Sequence, residues 1–236
     1  FVHNVLVVVE PMLVDEDYFV RIEGREIISN LAKAAGLPAM ITALRPNVDH
    51  DDLHVRNATA RALAVVALAL SIPSVLPFIR AVCRSQKSWQ ARYTGCKMVQ
   101  QVSTMLASGV LPHLPGLLDC IKDCLKDDNQ KVRVSAALAV AGLAESCNPF
   151  GIETFDAVLQ DLWVGLNGHR GKALASFLKA VGAVIPLMDD KYAAEYSDLV
   201  MQVVLKEFES PDDEMKRILL TVIKQCVEAK LISSEY

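Results

Sequence analysis

The segment "KDDNQKVRVSAALAVAGL" runs from Lys126 to Leu143 and joins an acidic turn to an apolar stretch. Apolar residues recur in its second half at helical spacing, at Val132, Ala136, Val140 and Leu143. A carboxylate or amide just before a helix can accept hydrogen bonds from the free N–H groups of its first turn. The segment therefore predicts a helix that opens at Val132-Arg133, behind a capped turn.

The same pattern returns along the whole chain. Each copy contributes one basic residue near a helix start, and these residues are Arg21, Arg56, Arg92, Arg133, Lys172 and Lys216. Acidic turns precede four copies: "DED" at Asp15, "DHDD" at Asp49, "KDDNQ" at Lys126 and "SPDDE" at Ser210. A single helix pair cannot bury its own apolar faces, so units of this length stack into a continuous core. We therefore predict an all-α fold, an α-solenoid of about six antiparallel helix pairs.

The repeats form a single array along the whole chain, and no second domain is predicted. The predicted boundaries are residues 1–36, 37–71, 72–109, 110–148, 149–188 and 189–236. "VLVVV" at Val5 is placed in the first helix, which Pro11 should bend. The chain opens "FVHNVLVVVE" with no Met and no signal-peptide pattern, which we interpret as part of a longer protein.

The glycine-rich stretch "GLNGHRGKAL", Gly165 to Leu174, invites comparison with a phosphate-binding loop. That loop needs a first glycine where Leu166 stands and a hydroxyl residue where Ala173 stands. We therefore predict a turn between two helices. The five histidines are scattered and no catalytic motif is present. These patterns predict a protein that is not an enzyme and has neither a cofactor nor a small-molecule substrate.

Six cysteines and one apolar run raise the questions of a metal-binding site and of a membrane-spanning helix. The cysteines form no Cys-x-x-Cys pair, so we expect buried small hydrophobic residues in a reducing intracellular compartment and no metal site. The 18 residues from Ala62 to Ile79 carry no charge, but Ser71, Pro73 and Pro77 interrupt them. They are interpreted as parts of two buried helices, and no membrane partner is expected.

Positive charge is concentrated in one part of the chain, although the net charge is −4. Residues 53–118 contain no acid and seven basic residues: Arg56, Arg61, Arg80, Arg84, Lys87, Arg92 and Lys97. Two turns, "RSQKSWQAR" at Arg84 and "LNGHRGKAL" at Leu166, replace the usual carboxylates with cations. With units stacked in register, one edge should carry Lys87, Arg92, Lys131, Arg133, Arg170 and Lys172. Such an edge suits a phosphate backbone, although most repeat arginines should also brace the fold, and Trp89 could either pack or stack on a base.

Several long strings resemble one known family. "DEDYFVRIEGREIISNLAKAAGL", "VRNATARALAVVALAL", "KSWQARYTGCKMVQQ" and "QKVRVSAALAVAGLAE" are similar to the splicing factor 3B subunit 1 family, the large HEAT-repeat proteins of the U2 small nuclear ribonucleoprotein. The resemblance covers nearly the whole chain. It implies a nuclear scaffold that supports pre-mRNA splicing and contacts U2 RNA and the intron near the branch site. Other splicing factor 3b subunits and splicing proteins would be its partners.

The resemblance also implies a set of RNA-binding residues. Matched by position, the family's RNA-facing residues fall at Arg56, Asn57, Tyr93, Lys97 and Lys131, with Lys172 nearby. The family has a histidine where Tyr93 stands, so this chain keeps a hydrogen-bonding group there but not a titratable cation. The alternative is a protein-only HEAT adaptor of the nuclear-transport or phosphatase-scaffold type. The acid-free segment favours RNA, whereas the charge of −11 on the rest of the chain leaves room for protein partners.

Overall fold

The computed structural model describes residues 1–209 and 211–234, and these contain helices and no strand. Twelve α-helices form six consecutive pairs, which confirms the predicted all-α solenoid. The helices are α1 Val2–Val9, α2 Tyr18–Ala35, α3 Leu37–Leu44, α4 Leu53–Leu70, α5 Ile72–Cys83, α6 Trp89–Leu106, α7 Leu114–Ile121, α8 Gln130–Cys147, α9 Ile152–Gly168, α10 Gly171–Val184, α11 Asp190–Glu207 and α12 Asp213–Ser234. The predicted last repeat, 189–236, includes Ser210, Glu235 and Tyr236, which lie outside the described residues.

Short 3₁₀ turns follow several of the α-helices. They cover Pro11–Val14, Arg45–Asn47, Ala107–His113, Lys122–Lys126 and Ile185–Leu187. Helix α1 ends at Val9 and the first 3₁₀ turn begins at Pro11, so "VLVVV" is helical, as predicted, and the α-helix stops before the proline.

Side-chain caps start the second helices of the first four pairs. Asp17, Asp52 and Asn129 each accept a hydrogen bond from the backbone N–H two residues further on, at 2.7 to 2.9 Å. Ser88 caps α6 by accepting from the N–H of Ala91 at 3.1 Å. These contacts satisfy N–H groups that have no partner inside the helix, so the turns fix where α2, α4, α6 and α8 begin.

The repeated arginines brace the turns. Arg21, Arg56 and Arg133 each donate from Nη1 to the two carbonyl oxygens five and six residues upstream. Among the repeated arginines of the described residues, only Arg92 pairs with a carboxylate of an adjacent unit, Asp127. The other three are held by carbonyl oxygens of their own turns.

Stacking of the second helices builds the core. Helices α2, α4, α6, α8, α10 and α12 pack side by side in chain order. Small residues permit close approach: a Cβ added at Gly142 of α8 would lie 2.8 Å from Ser103 Oγ of α6. The core is otherwise made of Ala, Val and Leu, with Phe155 and Phe177 as its largest fully buried side chains. Stacked second helices place their N-terminal ends on one edge of the solenoid.

The glycine-rich stretch is a turn between helices, as predicted. Helix α9 ends at Gly168 and α10 begins at Gly171, whose φ of +58° favours glycine. The preceding segment is a helix and not the strand that a phosphate-binding loop requires. Gly165 lies inside α9 against the ring of Phe177. The P-loop interpretation is thereby excluded.

The uncharged run of residues 62–79 is divided between two helices. Helix α4 ends at Leu70 and α5 starts at Ile72, with Ser71 at a φ of 153° between them. By length and composition α4 could cross a membrane, but 56% of it is buried inside the protein. Packing within the solenoid therefore accounts for its hydropathy.

Candidate nucleic-acid interface

The edge formed by the N-terminal ends of α4, α6 and α8 carries a group of cations around two aromatic rings. The guanidinium carbon of Arg56 lies 5.5 Å from the ring centres of both Trp89 and Tyr93. Lys131 Nζ lies 5.2 Å from the Trp89 ring, and Lys97 Nζ lies 5.8 Å from the Tyr93 ring. These separations are within the range of cation–π attraction. We call Arg56, Trp89, Tyr93, Lys97 and Lys131 the cation–aromatic cluster, and it joins three successive units.

Members of this cluster differ in their exposure to solvent. Arg56 is only 4% exposed and donates to the carbonyl oxygens of His50 and Asp51, the latter at 2.8 Å. Trp89, Tyr93 and Lys97 are half-buried, whereas Lys131 is exposed. Arg56 therefore holds the turn and the two rings in place, Lys131 presents its charge at the surface, and Lys97 is partly covered.

A small basic cavity adjoins the cluster. It has a volume of about 230 Å³, and its polar lining residues are His54, Asn57, Arg61, Lys97 and Gln101. No acid lines it. The Oδ1 atom of Asn57 is buried and has no hydrogen-bond partner among the described residues. Cations and amides around an acid-free space of this size suit a small anionic group.

Burial disfavours the charged forms of the basic side chains that line this cavity. Desolvation lowers the pKa of Lys97, whose ammonium donates to Gln100 Oε1 at 3.0 Å. It also lowers the pKa of Arg61, and the nearby charges of Arg21 and Arg25 act in the same direction. An anion in the cavity would offset this penalty, because an opposite charge favours the charged form of each cation.

Two of the arginines predicted for this edge are already engaged within the protein. Arg92 makes a bidentate ion pair with Asp127, with Nη2 to Oδ1 at 3.0 Å, and donates to the Ser85 carbonyl at 2.8 Å. This pair holds the pKa of the Asp127 carboxyl below its usual value against the opposing effect of burial. Arg133 donates to the backbone of the preceding turn, including Asp128 O at 3.0 Å. Arg92 thus stabilises the joint between two helix pairs, and Arg133 stabilises the turn within its own pair.

The remaining predicted residues are exposed. Lys87 lies in the turn before α6 and Lys172 in the first turn of α10, and neither makes an ion pair among the described residues. Arg170 precedes α10 and donates to the carbonyl of its neighbour His169 at 2.8 Å. No hydrogen bond or cation–π contact joins Lys87, Arg170 or Lys172 to the cation–aromatic cluster in the part of the chain that the structure describes. The edge thus has a connected centre and separate flanking charges.

Some of the positive charge concentrated in residues 53–118 is compensated by carboxylates of the adjacent unit. Arg80 and Arg84 lie 3.2 and 3.7 Å from Asp119 of α7. Lys122 lies 2.7 Å from the same carboxylate, and together these cations hold the pKa of Asp119 below its usual value. With Arg56, Arg61 and Arg92, five of the seven cations in residues 53–118 bind acids or carbonyls of the protein. Stacking places the acids that follow the segment against the bases within it.

Sequence reasoning missed His54, Arg61 and Gln101 as members of the site. His54, Asn57 and Arg61 stand three and four residues apart, which puts them on one face of α4. Lys97 and Gln101 have the same relation on α6. This spacing could have predicted that these residues share a helix face. That the two faces of α4 and α6 lie opposite each other follows only from the stacked fold.

Comparisons with known proteins agree with this architecture. The HEAT repeat family matches residues 117–147. The U2 snRNP component prp10 of Schizosaccharomyces pombe is 55% identical over 236 residues, which is all of this chain and 20% of that protein. The U2 snRNP component HSH155 of Saccharomyces cerevisiae is 51% identical over the same length, 24% of that protein. The chain therefore spans about a fifth to a quarter of the length of these relatives.

A solved structure supports the fold alone. The karyopherin Kap121p, bound to the extreme C-terminus of the protein phosphatase Cdc14p, superposes with a TM-score of 0.67 at 16% sequence identity. The match covers 99% of this chain and 26% of that one. The α-solenoid is therefore shared with a protein of very different sequence.

Proposed function

This chain is a homologue of one segment of the U2 snRNP components prp10 and HSH155, and we propose that it acts as a HEAT-repeat scaffold of the U2 particle in pre-mRNA splicing. It would work in the nucleus and without catalysis of its own. The sequence relationship supports membership in the particle, and the stacked helix pairs supply a rigid edge on which other molecules can assemble.

The ligand proposed for that edge is RNA, namely the intron near the branch site and U2 RNA. The observation that carries this proposal is the basic cavity beside the cation–aromatic cluster. The cavity would seat a backbone phosphate between Lys97 and Arg61, while exposed Lys131 would contact the next part of the strand. Lys87, Arg170 and Lys172 would extend the track as separate phosphate contacts.

The arrangement favours contact with phosphate over contact with bases. Trp89 and Tyr93 are held by cations of this chain, so their rings fix Arg56, Lys97 and Lys131 in position. Phosphate contacts position a strand and carry little sequence information. We therefore expect RNA binding with weak base preference and strong dependence on salt.

Protein partners would use other surfaces. Large apolar side chains stand exposed outside the cation–aromatic cluster, among them Phe150, Leu205 and Phe208 at 55% exposure or more. Other splicing factor 3b subunits and splicing proteins would dock there. The competing proposal, a protein-only adaptor, draws support from the pairing of three of the seven cations in residues 53–118 with acids of this chain, because that pairing weakens the surface charge.

Tryptophan fluorescence distinguishes the two proposals. The chain has two tryptophans, so the Trp163→Phe variant reports from Trp89 alone. Adding single-stranded RNA should change this emission saturably, and Lys97→Ala in the same background should weaken binding several-fold. Lys206→Ala, an exposed lysine of α11, serves as the matched control. RNA that binds without changing Trp89 emission, or equally well to the Lys97→Ala variant, would contradict the proposed site, and failure to bind RNA would favour the adaptor.

A further inference from the structure

Three cysteines distant in sequence meet between the third and fourth helix pairs. Cys83 ends α5, Cys96 lies in α6, and Cys124 lies in the 3₁₀ turn after α7. Their Sγ atoms all lie within 4.8 Å of one another. All three are buried free thiols. We call them the thiol triad.

Local packing keeps the space between these sulfurs open. Gly95 precedes Cys96, and a Cβ at this glycine would lie 2.5 Å from Cys83 Sγ. Any larger residue would displace the Cys83 thiol from the triad. The sulfurs therefore face one another without an intervening side chain from this position.

A cavity at the surface is lined in part by two of the three cysteines. It has a volume of about 450 Å³, and its wall includes Cys83 and Cys124. The wall also includes Arg84 and Asp123, which are exposed, and Arg92, which is half-buried. The triad thus lies beside a cavity with solvent-exposed walls.

We propose that Cys83, Cys96 and Cys124 form a three-thiolate binding site for a thiophilic metal ion, with Zn²⁺ as the candidate ion. A Zn–S bond is about 2.3 Å, so three sulfurs around one tetrahedral ion stand about 3.8 Å apart, and the triad needs only small adjustments to reach this spacing. Soft thiolate ligands select such ions over Mg²⁺ or Ca²⁺. The proposal is independent of RNA binding and departs from the absence of a metal site expected from the sequence.

Charge and protons balance in this site. Binding one Zn²⁺ forms three Zn–S bonds, and the three thiol protons pass to solvent through the cavity. The product carries one net negative charge, beside a cavity wall in which the cations Arg84, Arg92 and Lys126 stand among the acids Asp123, Asp127 and Asp128. A water molecule from the cavity would complete the fourth position, as in zinc sites with three protein ligands.

Cadmium is the probe, because Cd²⁺–thiolate bonds absorb in the ultraviolet where Zn²⁺ is silent. Titrating the reduced chain with Cd²⁺ should give a charge-transfer band that saturates at one equivalent and should raise the melting temperature. Excess Zn²⁺ should remove the band by competition. Cys96→Ser should lose the saturable band and the melting shift, whereas Cys147→Ser should keep both, since Cys147 is buried without another thiol beside it.

Two results would overturn the proposal. One is the absence of a saturable band in the wild-type chain, and the other is an equal band in Cys96→Ser. If Cys96→Ser melts at a lower temperature without metal, Cys124→Ser at the cavity wall repeats the test with less disturbance of α6, and an equal band in that variant would again contradict the site.

Discussion

At the scale of single residues, Glu10 is an ionisable residue whose buried position disfavours the charged form of its carboxyl group. Its side chain is only 7% exposed, and one carboxylate oxygen accepts from Asn47 Nδ2 at 3.2 Å while the other has no partner among the described residues. Burial raises the pKa of Glu10 to about 7, and the Asn47 hydrogen bond opposes this only in part. The carboxyl therefore costs the fold free energy when it ionises.

The sign of the resulting pH dependence follows from this shift. The folded pKa is near 7 and the unfolded value near 4.5, so stability falls as pH rises through this interval. Glu10→Gln removes the ionisation and should raise the free energy of unfolding at pH 8 by about 1–3 kcal/mol, with little change at pH 4. Urea denaturation at both pH values measures it. The exposed Glu26→Gln is the control, and an equal effect of Glu10→Gln at pH 4 and pH 8 would contradict the assignment.

At the scale of elements, the helices and their starts were predictable, while contacts across units were not. Capping residues at Asp17, Asp52 and Asn129 are visible as acidic turns before apolar repeats. The ion pair of Arg92 with Asp127 joins residues 35 positions apart, and the thiol triad gathers three elements. Both depend on how one unit stacks on the next. The sequence pattern predicts the length of the repeating unit, but it does not predict which side chains of adjacent units meet.

The α9–α10 pair gives a matched test of packing at this scale. A Cβ at Gly165 would lie 2.2 Å from ring atoms of Phe177, which is fully buried. Gly165→Ala should therefore lower the free energy of unfolding by about 1–3 kcal/mol, the usual cost of overpacking. Gly168→Ala, in the same helix, meets nothing within 4 Å and should change stability by less than about 0.5 kcal/mol. Thermal and urea unfolding compare the two, and equal destabilisation would show that α9 does not pack on Phe177 in this way.

At the scale of the whole molecule, the solenoid turns a one-dimensional repeat into a continuous edge. The N-terminal ends of α4, α6 and α8 meet there, so residues up to 75 positions apart in sequence form one cation–aromatic cluster. Composition alone overstated the charge of this region, because Arg80, Arg84 and Arg92 are paired with acids of the next unit. Fewer cations therefore remain without an acidic partner. Among them, Lys97 lies at the basic cavity and Lys131 lies at the surface.

The measurement that tests RNA binding by this edge most directly is a salt series with single-stranded RNA. The Lys97→Ala, Lys131→Ala, Lys172→Ala triple variant is compared with the wild type and with a control triple, Lys33→Ala, Lys191→Ala, Lys206→Ala, which removes the same charge from exposed positions elsewhere. Removing three phosphate contacts should flatten the slope of log affinity against log salt by about 2, at about 0.7 per contact. The control triple should keep the wild-type slope. Equal slopes for the edge triple and the wild type, with wild-type binding established, would mean that these lysines do not hold phosphate.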